Sequence, residues 1–287
     1  MAPRATDAGR VKAQLAQTRA TLATAGIPLP WLDAEILVAH VIKSSRERLH
    51  SHPERLLTVA QRVRLRRLTS RRAARVPVPY LVGEREFYGH IFRVTPAVLI
   101  PRPSSELLVE LAVDWLNAHP GARRVIDLGT GSGAVAISVA KAVPHVRIEA
   151  RDVSARALRV AAENIAHHRL RHRITTVKGD LLRGAKPADV ILANLPYIPE
   201  ALRRVRPKEL DYEPALALDG GKDGLTLIRT ALAQAPAVAK PNGLVLFECD
   251  PAQTRRIVRL AQGHWPTAQV TVHKDLAGLD RVVRIQT

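Results

Sequence analysis

Apolar and polar positions follow two regimes along the chain. Up to about residue 75 the spacing is helical: Val11, Leu15, Thr18, Leu22 and Ala25 form one stripe, ended by Gly26-Ile27-Pro28. Further helices are predicted over 31–41 and 58–75, with breaks at Ser44-Ser45-Arg46 and His50-Ser51-His52-Pro53. Val76-Pro77-Val78-Pro79-Tyr80 predicts extended chain, because proline removes a donor and restricts the residue before it. Residues 81–83 and 87–94 predict the two strands of a hairpin, 99–103 an extended piece, and Ser104 or Ser105 the N-cap of a helix reaching Ala118.

From Arg123 short apolar runs alternate with helical stretches. Strands are predicted over 125–128, 146–150, 174–177, 188–193, 243–248, 270–272 and 281–285, and helices over 134–142, 155–166, 225–239 and 254–262. Such alternation predicts an α/β fold built on a mostly parallel, doubly wound sheet. The expected organisation is a helical domain over 1–75, a linker with a β-hairpin over 76–95, and an α/β domain over 96–287.

Charge changes the picture in the helical part. The chain carries +18 overall, and residues 1–75 hold 15 Lys+Arg against 5 Asp+Glu. Arg62, Arg64, Arg66, Arg67, Arg71, Arg72 and Arg75 share the third helix with no acid among them. Like charges at helical spacing repel unless something acidic meets them, so the helix is expected to face a partner, with ribosome or nucleic acid as the candidates; an Arg-rich composition is the other explanation. The single cysteine, Cys249, rules out an internal disulfide and fits a reducing cytosol. No apolar run reaches the length of a membrane span, and the N-terminus lacks a secretory apolar core. A cytoplasmic monomer is expected. The histidines lack carboxylate or cysteine partners at ligand spacing, so no metal set is visible.

Two stretches carry chemistry. Asp127-Leu128-Gly129-Thr130-Gly131-Ser132-Gly133 joins a strand to a helix, and its alternate glycines allow a tight turn and close approach of a ligand. It lacks the Gly-Lys-Ser/Thr ending of a P-loop and the G-x-G-x-x-G dinucleotide spacing. Asp127 would repel a pyrophosphate but suits an ammonium group. Asp152 ends the next strand, where a carboxylate accepts from two ribose hydroxyls. Asp180 and Leu181 follow the third strand and could flank an adenine ring. Together these predict an S-adenosylmethionine (SAM) site. The second stretch, Asn194-Leu195-Pro196-Tyr197, ends a buried strand and delivers an amide, a fixed carbonyl and an aromatic plate to one sheet edge.

With these motifs the chain resembles the HemK/PrmC family of protein glutamine methyltransferases, which have a Rossmann-like SAM-dependent methyltransferase fold. The likeness extends to Pro79-Tyr80-Leu81-Val82-Gly83, Phe87-Tyr88-Gly89, the stretch 98–106 (V-L-I-P-R-P-E-T-E in the family, departing at Ser104 and Ser105), the stretch 215–225, and Asp280-Arg281-Val282-Val283. It implies an N-terminal substrate-recognition domain, SAM contacts from Asp127, Gly129, Thr130, Gly131, Ser132, Gly133, Asp152, Asp180, Leu181 and Asn194, and catalysis by Asn194, Pro196 and Tyr197. Asn194 to Tyr197, with Arg102 and Pro103, would hold the acceptor glutamine. The leading implied substrate is the Gly-Gly-Gln loop of a peptide chain release factor, with another protein glutamine, as in a ribosomal protein, next, and the sequence does not select between them. Leu195 stands where the family usually has proline, and Asn-Leu-Pro-Tyr is instead similar to ribosomal RNA adenine dimethyltransferases. An adenine methyltransferase acting on RNA or DNA is therefore the alternative enzyme, and a SAM-binding ribosome-associated module the alternative without turnover.

Overall fold

A computed structural model describes residues 7–287; the first six, part of the N-terminal stretch read above as lacking a secretory core, lie outside them. The chain divides into two compact units. One comprises residues up to Gly83 together with Lys208–Tyr212, the other Glu84–Pro207 and Glu213–Thr287.

The first unit contains α1 (Val11–Thr24), α2 (Pro30–Ile42), α3 (Arg46–Ser51), α4 (Val59–Ala73) and α5 (Val78–Val82), packed around Val11, Leu37, Val38, Leu49, Leu65 and Leu68. Thr58 and Gln61 form a reciprocal capping box that starts α4. The expected breaks at 44–46 and 50–53 are shorter than read, because a helix of its own, Arg46–Ser51, lies between Ser45 and His52, and residues 78–82 are helical rather than extended. Pro79 occupies the second helical position, where no intrahelical acceptor awaits its missing N–H, so the prolines open a helix that Gly83 then stops. The arginine run is also less uniform than it reads. Arg72 is buried and donates to Asp33 (2.7 Å) and to Glu209 (3.0 Å), and Arg75 donates to the carbonyls of Ala25 and Gly26. The acids exist, but 39 and 137 positions away in sequence.

The second unit opens with β1 (Glu84–Phe87) and β2 (His90–Arg93), an antiparallel pair turning at Tyr88-Gly89. Both turn residues have positive φ, 50° and 71°, as a two-residue type I′ turn requires. A hairpin is present, but shifted along the chain: residues 81–83 end α5 instead of forming a strand, the first strand is Glu84–Phe87, and the turn falls at Tyr88-Gly89, inside the stretch expected as the second strand. A single 3-10 turn over Pro103–Ser105 leads into α6 (Glu106–Ala118), and Ser105 at the cap makes no capping bond with its side chain.

The order then runs β3 (Arg124–Leu128), α7 (Ala134–Ala142), β4 (Arg147–Asp152), α8 (Ala155–His167), β5 (Ile174–Lys178), β6 (Ala188–Ala193), α9 (Thr226–Gln234), β7 (Ala239–Glu248), α10 (Thr254–His264), β8 (Gln269–Lys274) and β9 (Asp280–Gln286). Helix α9 stops short of its predicted end because Pro236 lies in the 3-10 turn that follows, and β7 begins at Ala239. The seven strands lie in the order β5-β4-β3-β6-β7-β9-β8, parallel except that β9 runs against both neighbours. Alternate residues of the central strands face opposite layers. Val125, Val190, Leu192, Leu244 and Leu246 pack with α6, α7 and α8; Ile126, Ile191, Ala193, Val245 and Phe247 pack with α9 and α10. With both faces covered, the chain reverses its direction of winding between β3 and β6, the switch point where open α/β sheets bind ligands. Among the described residues no helix is long and apolar enough to cross a membrane.

Candidate active site

A cavity of about 260 Å³ lies at that switch point. Its wall takes Leu128, Gly129 and Gly131 from the turn after β3, Asp152 and Val153 from the end of β4, Asp180 and Leu181 from the turn after β5, and Asn194, Leu195 and Pro196 from the end of β6. Val98, Leu99, Leu216 and Leu227 add apolar surface, and Arg151 is also among the lining residues. Eight residues predicted for the site therefore share one wall. Asp127, Thr130, Ser132, Gly133, Tyr197, Arg102 and Pro103 do not line it, and each has a different place.

The glycine turn is built around two carboxylates. Gly131, at φ +55°, donates its N–H to Asp152 Oδ2 (3.0 Å), while Ser154 N–H donates to Oδ1 (2.8 Å). Burial pushes the Asp152 pKa up, and those N–H groups oppose the shift. Asp127 sits under the turn and accepts from the Thr130 hydroxyl at 2.6 Å. The Ser132 carbonyl takes Asn164 Nδ2 (2.8 Å), and Gly133 caps α7. These four shape the turn from behind.

Burial raises the Asp127 pKa to about 7 against its bonds to Thr130 and the Ala136 N–H. Between the unfolded value of 3.8 and about 7 the folded protein keeps a proton that the unfolded chain has released. Stability then falls as pH rises through this window and levels off above it. Asp127→Asn should remove that slope, up to about 1.4 kcal/mol per pH unit, in thermal unfolding of ligand-free protein. Parallel pH profiles for the two proteins would contradict the assignment.

One wall residue depends on an arginine whose importance the local pattern conceals. Leu181 has φ +49°, unusual for leucine, and its carbonyl is held by Arg151 Nε (2.8 Å). Arg151 also donates to the Arg183 carbonyl (2.7 Å) and pairs with Glu149, so its guanidinium is committed to shaping the turn after β5. Its only sequence signal is a charged residue inside a buried strand.

At the end of β6, Asn194 Nδ2 donates to Ser105 Oγ (2.8 Å), and among the described residues no donor takes its Oδ1. Leu195 is buried beneath the glycine turn: a Cβ on Gly129 would lie 3.3 Å from its Cδ2. Tyr197 turns away. Its phenol lies 3.5 Å from Glu248 Oε1 and its carbonyl accepts from Gln253 Nε2 (2.9 Å). Burial, and then the Glu248 carboxyl, raise the phenol pKa well above its usual value. The stretch 215–225 braces this segment, with Ile198 N–H donating to the Leu218 carbonyl and Gly220 N–H to the Ile198 carbonyl (both 3.0 Å). Gly224, at φ +76°, leaves room for no side chain, since a Cβ there would lie 2.3 Å from the Tyr197 carbonyl. Arg102 pairs with buried Glu213, which also accepts from Ile100 N–H (3.0 Å), and Pro103 begins the turn before α6.

Carboxylates at Asp152 and Asp180 on the wall disfavour a pyrophosphate and suit a ligand with cationic and hydroxyl groups. Apolar Leu99, Val153, Leu181 and Leu227 offer flat faces for an aromatic base. The donor set fits SAM.

The methyltransferase small domain model matches residues 103–205. The solved hMettl16 catalytic domain, in complex with MAT2A 3′UTR hairpin 6, shares the fold at TM-score 0.55 and 16% identity, covering 80% of this chain and 82% of that one. Fold and cavity together define a SAM-dependent methyltransferase. The PrmC N-terminal domain model matches residues 13–83. Release factor glutamine methyltransferase of Moorella thermoacetica is 40% identical over 263 residues, 91% of this chain and 92% of that protein; that of Bordetella pertussis is 40% identical over 260 residues, 88% and 94%. The chain belongs to the release factor glutamine methyltransferase family.

Proposed function

We propose that this protein transfers a methyl group from SAM to the side-chain amide nitrogen of a glutamine in the Gly-Gly-Gln loop of a peptide chain release factor. The observation that carries the reading is one cavity lined both by the donor turn, Gly129 to Gly131 with Asp152, and by the acceptor motif, Asn194 to Pro196. When bound, SAM supplies a methyl carbon made electrophilic by the sulfonium. Asp152 would hold the ribose, Asp180 and Leu181 the adenine, and the glycine turn the methionine end. Asn194 Oδ1 and the Leu195 carbonyl accept the two N–H bonds of the glutamine amide and hold its nitrogen in line. The nitrogen gains a bond to carbon, the carbon–sulfur bond breaks, and one amide proton leaves to water.

Leu195 retains the carbonyl a proline would supply, so the departure at this position leaves the acceptor in place. Transfer of labelled methyl to a release factor, with ribosomes and RNA as parallel acceptors, tests the proposal. Label in a glutamine of the factor is the expected result, and label in adenine alone would establish the other enzyme reading.

The arginines of α4 bear on the partner. Arg66, Arg67 and Arg71 are exposed and form no ion pair among the described residues, unlike Arg72. We take them as the acid-facing surface, on the release factor or on a ribosome carrying it. Arg66→Glu, Arg67→Glu and Arg71→Glu combined should raise KM for the factor about ten-fold at low salt, leave SAM affinity unchanged, and matter less as salt is added. An unchanged KM at every salt concentration would reduce the charge to composition.

A further inference from the structure

We infer that Ser105 and Glu248 are positioning residues for Asn194, a buried polar chain that fixes which edge of the Asn194 amide faces the acceptor. The inference rests on the methyl-transfer reading above. Glu248 ends β7 fully buried, and among the described residues its Oε2 takes no hydrogen bond. Buried carboxyl oxygens without partners are rare and costly, and each calls for an explanation.

Three hydroxyls surround this carboxyl. Ser104 Oγ lies 3.4 Å and the Tyr197 phenol 3.5 Å from Oε1, while the Ser105 hydroxyl, next in the chain to Ser104 and accepting from Asn194, lies near enough to hold the Glu248 pKa down. All three are hydroxyls, able to donate to a group that, when ionised, can only accept. Burial pushes the Glu248 pKa up, while these hydroxyls and the charge of Arg281 oppose it.

Ser105 has one hydrogen and is itself buried. If that hydrogen goes to Glu248, only lone pairs remain for Asn194. The NH2 edge of the amide must then turn to Ser105, as the 2.8 Å contact from Nδ2 has it. A flipped amide would set Oδ1 against those lone pairs and present NH2 to the cavity. The acceptor glutamine also offers N–H donors there, so a flipped Asn194 would oppose donor to donor. The carboxylate thus sets the polarity of the chain Glu248–Ser105–Asn194, and the last member delivers it as an acceptor at the cavity wall.

The test is a double-mutant cycle on methyl transfer to a release factor, with SAM affinity and unfolding temperature measured for each protein. Ser105→Ala should lower kcat about ten-fold, the effect of one buried hydrogen bond, with SAM affinity and KM unchanged. Ser105→Thr, which keeps the hydroxyl, should restore kcat. Glu248→Gln, which can donate as well as accept, should lower kcat by a similar factor. In an Asn194→Ala background, neither Ser105→Ala nor Glu248→Gln should reduce kcat further, because both act through Asn194. Wild-type kcat in Ser105→Ala, or losses that multiply fully in the double variants, would overturn the inference alone. A wild-type protein inert towards every release factor would overturn the reading of function and this inference with it.

Discussion

Asn194→Ala should retain most of the SAM affinity and lower turnover on a release factor at least about 100-fold, on the scale of removing one preorganised hydrogen-bond partner from a reacting centre. The reason lies in the acceptor. An amide nitrogen is a poor nucleophile because its lone pair is delocalised into the carbonyl, the resonance that also flattens the peptide bond. Catalysis must come mainly from alignment of nitrogen, methyl carbon and sulfur, for which effective molarities allow about 7–11 kcal/mol. In the proposed reaction Asn194 would supply one of two acceptors for that alignment, and its Nδ2 donates to Ser105 Oγ. Asn194→Asp keeps an acceptor but loses the Nδ2–H that Ser105 receives, so its loss should be smaller yet real. Single-turnover rates with saturating SAM would measure both; a rate within a few-fold of wild type for Asn194→Ala would remove Asn194 from the mechanism.

Gly131→Val should abolish measurable SAM binding, a loss of more than about 100-fold, while the sheet survives. Gly131 holds φ +55°, a conformation that costs a β-branched residue about 1–3 kcal/mol. Its place on the cavity wall would put the new side chain in the space proposed for SAM. Its N–H also anchors Asp152 Oδ2, so a shifted backbone would release that carboxylate. Asp152→Ala should cost about 1.5–3 kcal/mol of SAM affinity, the worth of a charge-assisted hydrogen bond. Titration calorimetry showing unchanged affinity in either variant would place the SAM site elsewhere.

The parts of the site legible in the sequence were those where backbone and side chain act locally. The glycines after Asp127, the acid at Asp152 and the Asn-Leu-Pro-Tyr stretch each sit at a strand end, and a strand end is marked by its own apolar run. Residues facing the cavity could not be separated from those behind it on that basis. Asp127 and Asp152 both follow buried runs, yet Asp127 lies under the turn and Asp152 on the wall. Tyr197 follows the acceptor motif directly, but its ring packs towards Glu248 rather than into the cavity.

The alternation of period-two and period-3.6 patterns was enough to specify strands, helices and a doubly wound sheet, because each periodicity is written within a few residues. Proline was the exception: its local meaning depends on helix position, and at Pro79 it began a helix where extended chain was expected. What only the tertiary structure decided were the pairings across the sheet and between distant segments. Ser105 meets Asn194 across 89 positions, Arg72 meets Glu209 across 137, and Arg102 meets Glu213 across 111. Such partners are chosen by strand order and by where a loop returns, and the energy of each pairing depends on burial that exists only once the chain is packed.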